Sequence, residues 1–314
     1  MLRLLASLGL IVAMVFAMDR LLAPELGAYL LTSNDRFMAI YRPDTAADVV
    51  VVGNSRADNH FPVSVLREMT CGEALNIGMG GAPTTVNALL WQDYLERHEA
   101  PRLLIVEPTS LVDPPADLAD VPLLAHYSPR VDDFLRRTNS ELWTTNRLFH
   151  LMAFNNNQTI RMLVGRFRPG SEDRTLDNVM SPEQHAHVGR LPTEKMPDLP
   201  RNWEALDTII RLARERGTRV AVVVTPYLPA YAAKVTDLDD FLAVLKRRLP
   251  ADVAFIDASR SLTRDEHFAD PLHMNDAGVR TLFTSLEPEF RQLGGCPVEA
   301  IAHLDASPST AMQR

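Results

Sequence analysis

Five short apolar runs, widely spaced along the chain, limit its fold more than any other feature. Asp48–Val52, Ala74–Ile77, Leu103–Val106, Arg219–Thr225 and Val253–Ile256 are each followed by a polar or glycine-containing loop, the pattern of strands buried on both faces. Helical patterns follow them at Pro62–Met69, Thr84–Arg97, Trp203–Arg216, Leu238–Arg248 and Asn275–Leu293. Thr84-Thr85 supplies an N-terminal cap to the second of these, and Gly217 a stop to the third. Strand–helix alternation of this kind predicts an α/β fold: a three-layer α/β/α domain around a central five-stranded parallel sheet. No internal repeat is visible.

The alternation breaks between residues 113 and 200. This stretch carries Pro114-Pro115, Asn155-Asn156-Asn157 and a segment dotted with Pro and His, with helical pieces at Val131–Arg137 and Glu141–Phe154. It reads as an irregular, partly helical insertion that either shapes the mouth of a site or is an excursion without catalytic consequence. His185-Ala186-His187 is its one dense histidine pair. No carboxylate spacing completes a metal site there, and it reads as a solvated loop.

The N-terminus constrains the compartment. After Arg3 an uninterrupted apolar stretch runs from Leu4 to Met18, followed by Asp19-Arg20 and a second apolar patch at Leu21-Leu22-Ala23. A charged start and an apolar run of this length predict export, with residues 1–22 as an uncleaved signal-anchor rather than a cleaved signal. Residues 23–44 then form a juxtamembrane linker, 45–295 the folded domain and 296–314 a disordered tail. The 314-residue chain can bury a large core. Its net charge of -8 leaves no basic surplus for a nucleic-acid partner. The two cysteines, Cys71 and Cys296, have no metal-type spacing. They either pair as one disulfide in an oxidising compartment or stay as buried thiols.

Chemistry concentrates in two motifs more than two hundred residues apart. The first strand runs directly into Gly53-Asn54-Ser55-Arg56, which sets a serine at a strand tip. Near the end, Phe268-Ala269-Asp270-Pro271-Leu272-His273-Met274-Asn275 supplies an Asp and a His three residues apart. A serine hydroxyl is a poor nucleophile at its own pKa and needs a base within hydrogen-bond reach. His273 is the candidate base and Asp270 the group that orients its imidazole, so Ser55, His273 and Asp270 form a candidate triad. Gly53 permits a tight turn. Arg56 either forms a structural salt bridge or binds an anionic substrate group. His267 lacks the D-x-x-H spacing, and His60 reads as a partly buried loop residue. No P-loop or dinucleotide fingerprint is present, so no cofactor is implied.

These motifs resemble the SGNH, or GDSL-like, hydrolase superfamily. Gly53-Asn54-Ser55-Arg56 is similar to its first block and Asn76-Ile77-Gly78-Met79-Gly80-Gly81 to its second. Asp270-Pro271-Leu272-His273 is similar to its last. The resemblance covers roughly residues 45–110 and 218–295 and implies a flavodoxin-like sheet. It implies an oxyanion hole built from the backbone N–H groups of Ser55 and the second block's glycines, Gly81 first and Gly80 next. Ordinary esterases of the family add an Asn after the third strand. Here that position reads Val106-Glu107-Pro108-Thr109-Ser110, with no Asn, so one transition-state donor is missing or replaced. Thr109 and Ser110 are candidate replacements, and they join Arg56 and Asn54 as weak substrate-binding candidates.

The Ser-Arg pair, Thr225-Pro226-Tyr227 and the motif ending look closest to membrane-anchored cell-envelope members of the alginate O-acetyltransferase and D-alanyl-lipoteichoic acid protein types. The leading expectation is thus a membrane-tethered serine acyltransferase or esterase, facing the periplasm. It would take an acyl donor, which a membrane acyltransferase partner could deliver, and act on a glycan acceptor. A secreted small-ester esterase or lipase-like hydrolase, and a non-catalytic scaffold of an envelope complex, are the alternatives.

Overall fold

The structure, a computed structural model, describes residues 2–114, 120–165, 167 and 172–296. Five strands form its sheet: β1 (Val49–Val52), β2 (Ala74–Asn76), β3 (Leu103–Val106), β4 (Arg219–Val224) and β5 (Ala254–Asp257). Every pairing is parallel and the order is β2-β1-β3-β4-β5, as the alternation predicts. The chain starts one strand in from an edge, steps outward to β2, then reverses to β3 on the other side of β1. Such a reversal opens a crevice at the carboxyl ends of the strands on either side of it, here β1 and β3.

The two-residue period of a strand divides the core into two layers. Val50, Val52, Leu104, Val106, Val222 and Val224 face one cluster, built with the helices Thr84–Arg97, Pro200–Glu215 and Leu238–Arg248. Val49, Val51, Leu103, Ile105, Ala221 and Val223 face the other, built with Val63–Thr70 and Asp276–Gly294. All four residues of β1 are buried, and each such side chain contributes about 1.5–3 kcal/mol of transfer free energy. Apolar runs without alternation therefore follow from a sheet covered on both sides.

The N-terminal helix is longer than the sequence indicates. It runs from Leu2 to Leu31, roughly 45 Å at 1.5 Å per residue, and it is long and apolar enough to cross a membrane. Pro24 lies inside it, where the pattern suggests a break after residue 22. Packing prevails over the proline: Asp19, Ala23, Gly27 and Leu30 form a buried stripe at helical spacing against the body. The 23–44 segment is likewise not a free linker. Its second helix, Arg36–Tyr41, packs on Thr84–Arg97 and buries Phe37, Met38 and Ile40.

The insertion is largely helical and divides into two parts. Residues 121–165 form short helices, and a 3-10 turn (His150–Phe154) and the helix Asn157–Gly165 pack on the N-terminal helix. Residues 174–180 run instead beside the loop that carries Asp270. His185 and His187, read as a solvated loop, lie on the helix Pro182–Arg190, started by a reciprocal cap between Ser181 and Gln184. Cys71 and Cys296 are joined as a disulfide, which ties the end of Val63–Thr70 to the end of the last helix. The tail beyond Cys296 lies outside the described residues.

Candidate active site

The strand-to-helix turn after β1 can be built only around glycine. Gly53 has φ of 151°, and a Cβ there would stand 2.7 Å from Ala57 Cβ and 2.8 Å from the Glu107 carbonyl oxygen. Asn54 follows as an N-cap, its side-chain oxygen accepting the Arg56 N–H at 2.9 Å. Ser55 is then the first residue of the short helix Ser55–His60, with its hydroxyl at the carboxyl end of the sheet.

The second block closes on this helix. Asn76, at the end of β2, donates to the carbonyls of Ala57 at 2.7 Å and Phe61 at 2.9 Å. Its oxygen accepts the Gly78 N–H at 2.9 Å. Gly78 packs so closely that a Cβ would meet Ala57 Cβ at 2.7 Å. A Cβ on Gly80 would stand 4.0 Å from Ser55 Cβ, whereas one on Gly81, at φ of 69°, would meet nothing within 4 Å. Both are exposed. Among the described residues no hydrogen bond takes up the N–H of Ser55, Gly80 or Gly81. An exposed N–H beside a nucleophile is the kind of donor an oxyanion hole requires.

The distant motif meets Ser55 directly. His273 Nε2 lies 2.7 Å from Ser55 Oγ, and His273 Nδ1 lies 2.8 Å and 3.0 Å from the two carboxylate oxygens of Asp270. One of those oxygens also accepts the N–H of Leu272 at 2.8 Å and of His273 at 2.9 Å. Burial acts to raise the Asp270 pKa, but the His273 ring and these two N–H groups outweigh it and hold the carboxyl below its usual range. With an ionised Asp270 accepting the Nδ1–H hydrogen bond, Nε2 is left as acceptor toward the serine hydroxyl. This arrangement can remove a proton from Ser55 as its oxygen attacks.

Arg56 lies behind the serine and is buried. Its guanidinium pairs with buried Glu107 at 3.4 Å, donates to Thr225 Oγ1 at 2.9 Å and to the Thr225 and Pro226 carbonyls, and stacks 3.7 Å over the Tyr227 ring. Of its two sequence readings, the structural ion pair is the one the geometry contains. Asn54, Thr109 and Ser110 are buried as well. Asn54 donates to Asp113 at 2.7 Å, the Thr109 hydroxyl donates to the Glu107 carboxylate, and Ser110 Oγ pairs with Thr84 Oγ1 at 3.0 Å. Both hydroxyls are thus engaged internally rather than offered as a third oxyanion donor. Burial pushes the Asp113 carboxyl up to about 6, opposed by Asn54 and reinforced by Glu107.

Sequence reasoning underrates His60 and overlooks Asn178. His60 is fully buried on the nucleophile's own helix, with Nδ1 2.8 Å from Thr225 Oγ1 and Nε2 accepting the Met274 N–H at 3.0 Å. Asn178 of the insertion donates to the Ala269 carbonyl at 3.0 Å, beside Asp270. Neither has a local sequence signal, because both partners are distant in the chain. His267 makes no bond to Ser55, and its carbonyl accepts the Asn275 N–H at 3.0 Å.

No family model matches the chain, and no curated protein matches it. Among solved structures, the chain is similar to a protein of Bacteroides fragilis assigned as an acylhydrolase. The match has 10% identity, covers 78% of this chain and 87% of that one, and gives a TM-score of 0.38. At that distance it has no bearing on what this chain does.

Proposed function

We propose that this protein is a membrane-tethered, SGNH-type serine acyltransferase or esterase, acting on O-acyl groups of a cell-envelope or exopolysaccharide glycan. The reading rests on one observation. Ser55 Oγ, His273 Nε2, His273 Nδ1 and Asp270 form an unbroken hydrogen-bonded line at the carboxyl end of β1. Ser55 attacks the acyl carbonyl while His273 takes its proton. The oxyanion receives the N–H groups of Ser55 and Gly80, with Gly81 the next candidate. Collapse expels the donor's oxygen, which takes the proton from His273 and leaves an acyl ester on Ser55. A sugar hydroxyl or water then gives its proton to His273 and attacks that ester, and His273 returns the proton to the departing Ser55 oxygen.

Transfer and hydrolysis share this intermediate and differ in what reaches it. The internally engaged Thr109 and Ser110 and the missing Asn favour an acceptor site unlike that of a free-standing esterase. The exposed apolar helix and the Cys71–Cys296 disulfide support an extracytoplasmic setting. There, a membrane partner would deliver the acyl donor. The test supplies a chromogenic acetyl ester to the full chain with and without candidate glycan, comparing wild type and Ser55→Ala. Turnover that depends on Ser55 is expected, with acetylated glycan appearing when glycan is present. Equal rates for the two proteins in both conditions would refute the proposal.

A further inference from the structure

We infer that the insertion's 147–152 turn and the helix Asn157–Gly165 lie in the headgroup layer of a phospholipid bilayer, so that the domain sits directly on the membrane. The inference rests on the N-terminal helix being membrane-spanning, and it assigns the neighbouring part of the insertion a role that anchoring alone does not require.

The first ground is length. The uninterrupted apolar stretch, Leu4 to Met18, spans about 22 Å as a helix, short of the ~30 Å hydrocarbon core. Exposed Leu21 and Leu22 extend its outward side to about 28 Å. The bilayer surface therefore reaches the level of Asp19 and Arg20, where the body begins.

The second ground is the pairing at that level. The Asp19 carboxylate accepts the N–H groups of His150 and Leu151, each at 2.8 Å. Arg20 donates to the carbonyls of Arg147 at 3.0 Å and Leu148 at 3.2 Å. These bonds satisfy the two charged side chains, which also pair with each other at 3.1 Å, where water becomes scarce. They also fix the turn at the same depth. Tyr127 adds a bond from its hydroxyl to the Gly27 carbonyl at 2.8 Å. A Cβ on Gly27 would meet His126 Nε2 at 2.3 Å, so the helix lies tight against the insertion.

The third ground is what the insertion exposes there. Leu148, Phe149 and Met152 are 53%, 43% and 40% exposed, and Ile160 and Val164 are 58% and 52% exposed. Ile160 and Val164 are one turn apart on a helix packed against the membrane helix. Exposed Arg161, and exposed Arg147 paired with Asp132 at 3.1 Å, accompany them, and arginine side chains suit lipid phosphates. Apolar side chains continuous with a lipid-facing helix, rimmed by arginine, match an interfacial surface.

The test uses the full chain in vesicles of phosphatidylethanolamine and phosphatidylglycerol, with lipids brominated near the headgroup or deep in the acyl chain. Tryptophan is introduced singly as Phe149→Trp, Ile160→Trp, Val12→Trp and Lys246→Trp, and wild-type fluorescence is subtracted. Phe149→Trp and Ile160→Trp should be quenched several-fold more than Lys246→Trp by the shallow lipid, with Val12→Trp quenched by the deep one. Quenching at Val12 but not at 149 or 160 would overturn the interfacial surface and leave the anchor standing. Quenching at none would remove both. Photo-crosslinking from position 149 in cells to a protein instead of lipid would also overturn it.

Discussion

The buried imidazole of His60 accepts the N–H of Met274 at 3.0 Å, one residue beyond the His273 that reaches Ser55. Helix and loop, 214 residues apart, are thereby tied directly behind the serine. Losing this acceptor leaves a buried N–H unsatisfied, at about 1–3 kcal/mol. His60→Phe should lower kcat for an acetyl ester about tenfold or more with little change in KM. His60→Gln, which keeps an acceptor, should restore part of it.

His60 also predicts a pH dependence of stability. Burial, then Arg56 and His273, hold its pKa well below 6.5 in the folded protein. Its stabilising contribution is therefore present above about 6.5 and lost as pH falls from there toward the depressed value, because the unfolded chain binds the proton first. Urea titrations from pH 7.5 to 5 should show wild type losing stability more steeply than His60→Gln.

Asp113 has the opposite sign. Its folded pKa of about 6 lies above the ordinary 3.8, so its ionisation costs stability as pH rises from about 4 to 6. Asp113→Asn removes that penalty and should raise the unfolding free energy from urea titration at pH 7.5 by on the order of 1–3 kcal/mol. Little difference is expected at pH 4.

For the triad, Ser55→Ala should abolish ester turnover, and Asp270→Asn should lower kcat about 10²–10⁴-fold by freeing the imidazole's tautomer. Circular dichroism and urea midpoints near those of wild type would show that the loss is chemical.

Arg56→Met leaves Glu107 buried without its cation, and a broken buried pair costs about 3–5 kcal/mol. Denaturant unfolding should show this loss. Arg56→Lys should recover only part, since one ammonium cannot satisfy the Thr225 and Pro226 acceptors that the guanidinium reaches together.

Strands and long helices were legible because their determinants are local. Leu103–Val106, Thr84–Arg97 and Leu238–Arg248 have the bounds their patterns predict. The helix beyond residue 22 was not legible, because a proline such as Pro24 ordinarily ends or kinks a helix and the bonds that hold it to the body come from residues 100 to 132 positions away. At the site, residue spacing pointed to Ser55, Asp270 and His273, and the fold brings them together. Spacing carried no sign that Arg56, Thr109 and Ser110 are consumed by Glu107, Thr225 and Thr84. The Arg56 pairings exist only once the ends of β3 and β4 stand beside the helix Ser55–His60, and the Thr109 and Ser110 pairings only once the turn after β3 has folded. A Cβ at Gly80 would stand 4.0 Å from Ser55 Cβ, whereas one at Gly81 would meet nothing within 4 Å, a difference the spacing of the glycines does not show.

Ser55 and His273 are 218 residues apart in a chain that emerges N-terminus first. By the time β1 is complete, the serine has neither base nor orienting carboxylate. Both arrive with the segment just before the final helix, whose end the Cys71–Cys296 disulfide fastens. A chain that ends before residue 270 therefore holds Ser55 without the imidazole and the carboxylate that stand beside it in the complete fold. Acquisition of ester turnover would serve as a clock for the last event of its folding.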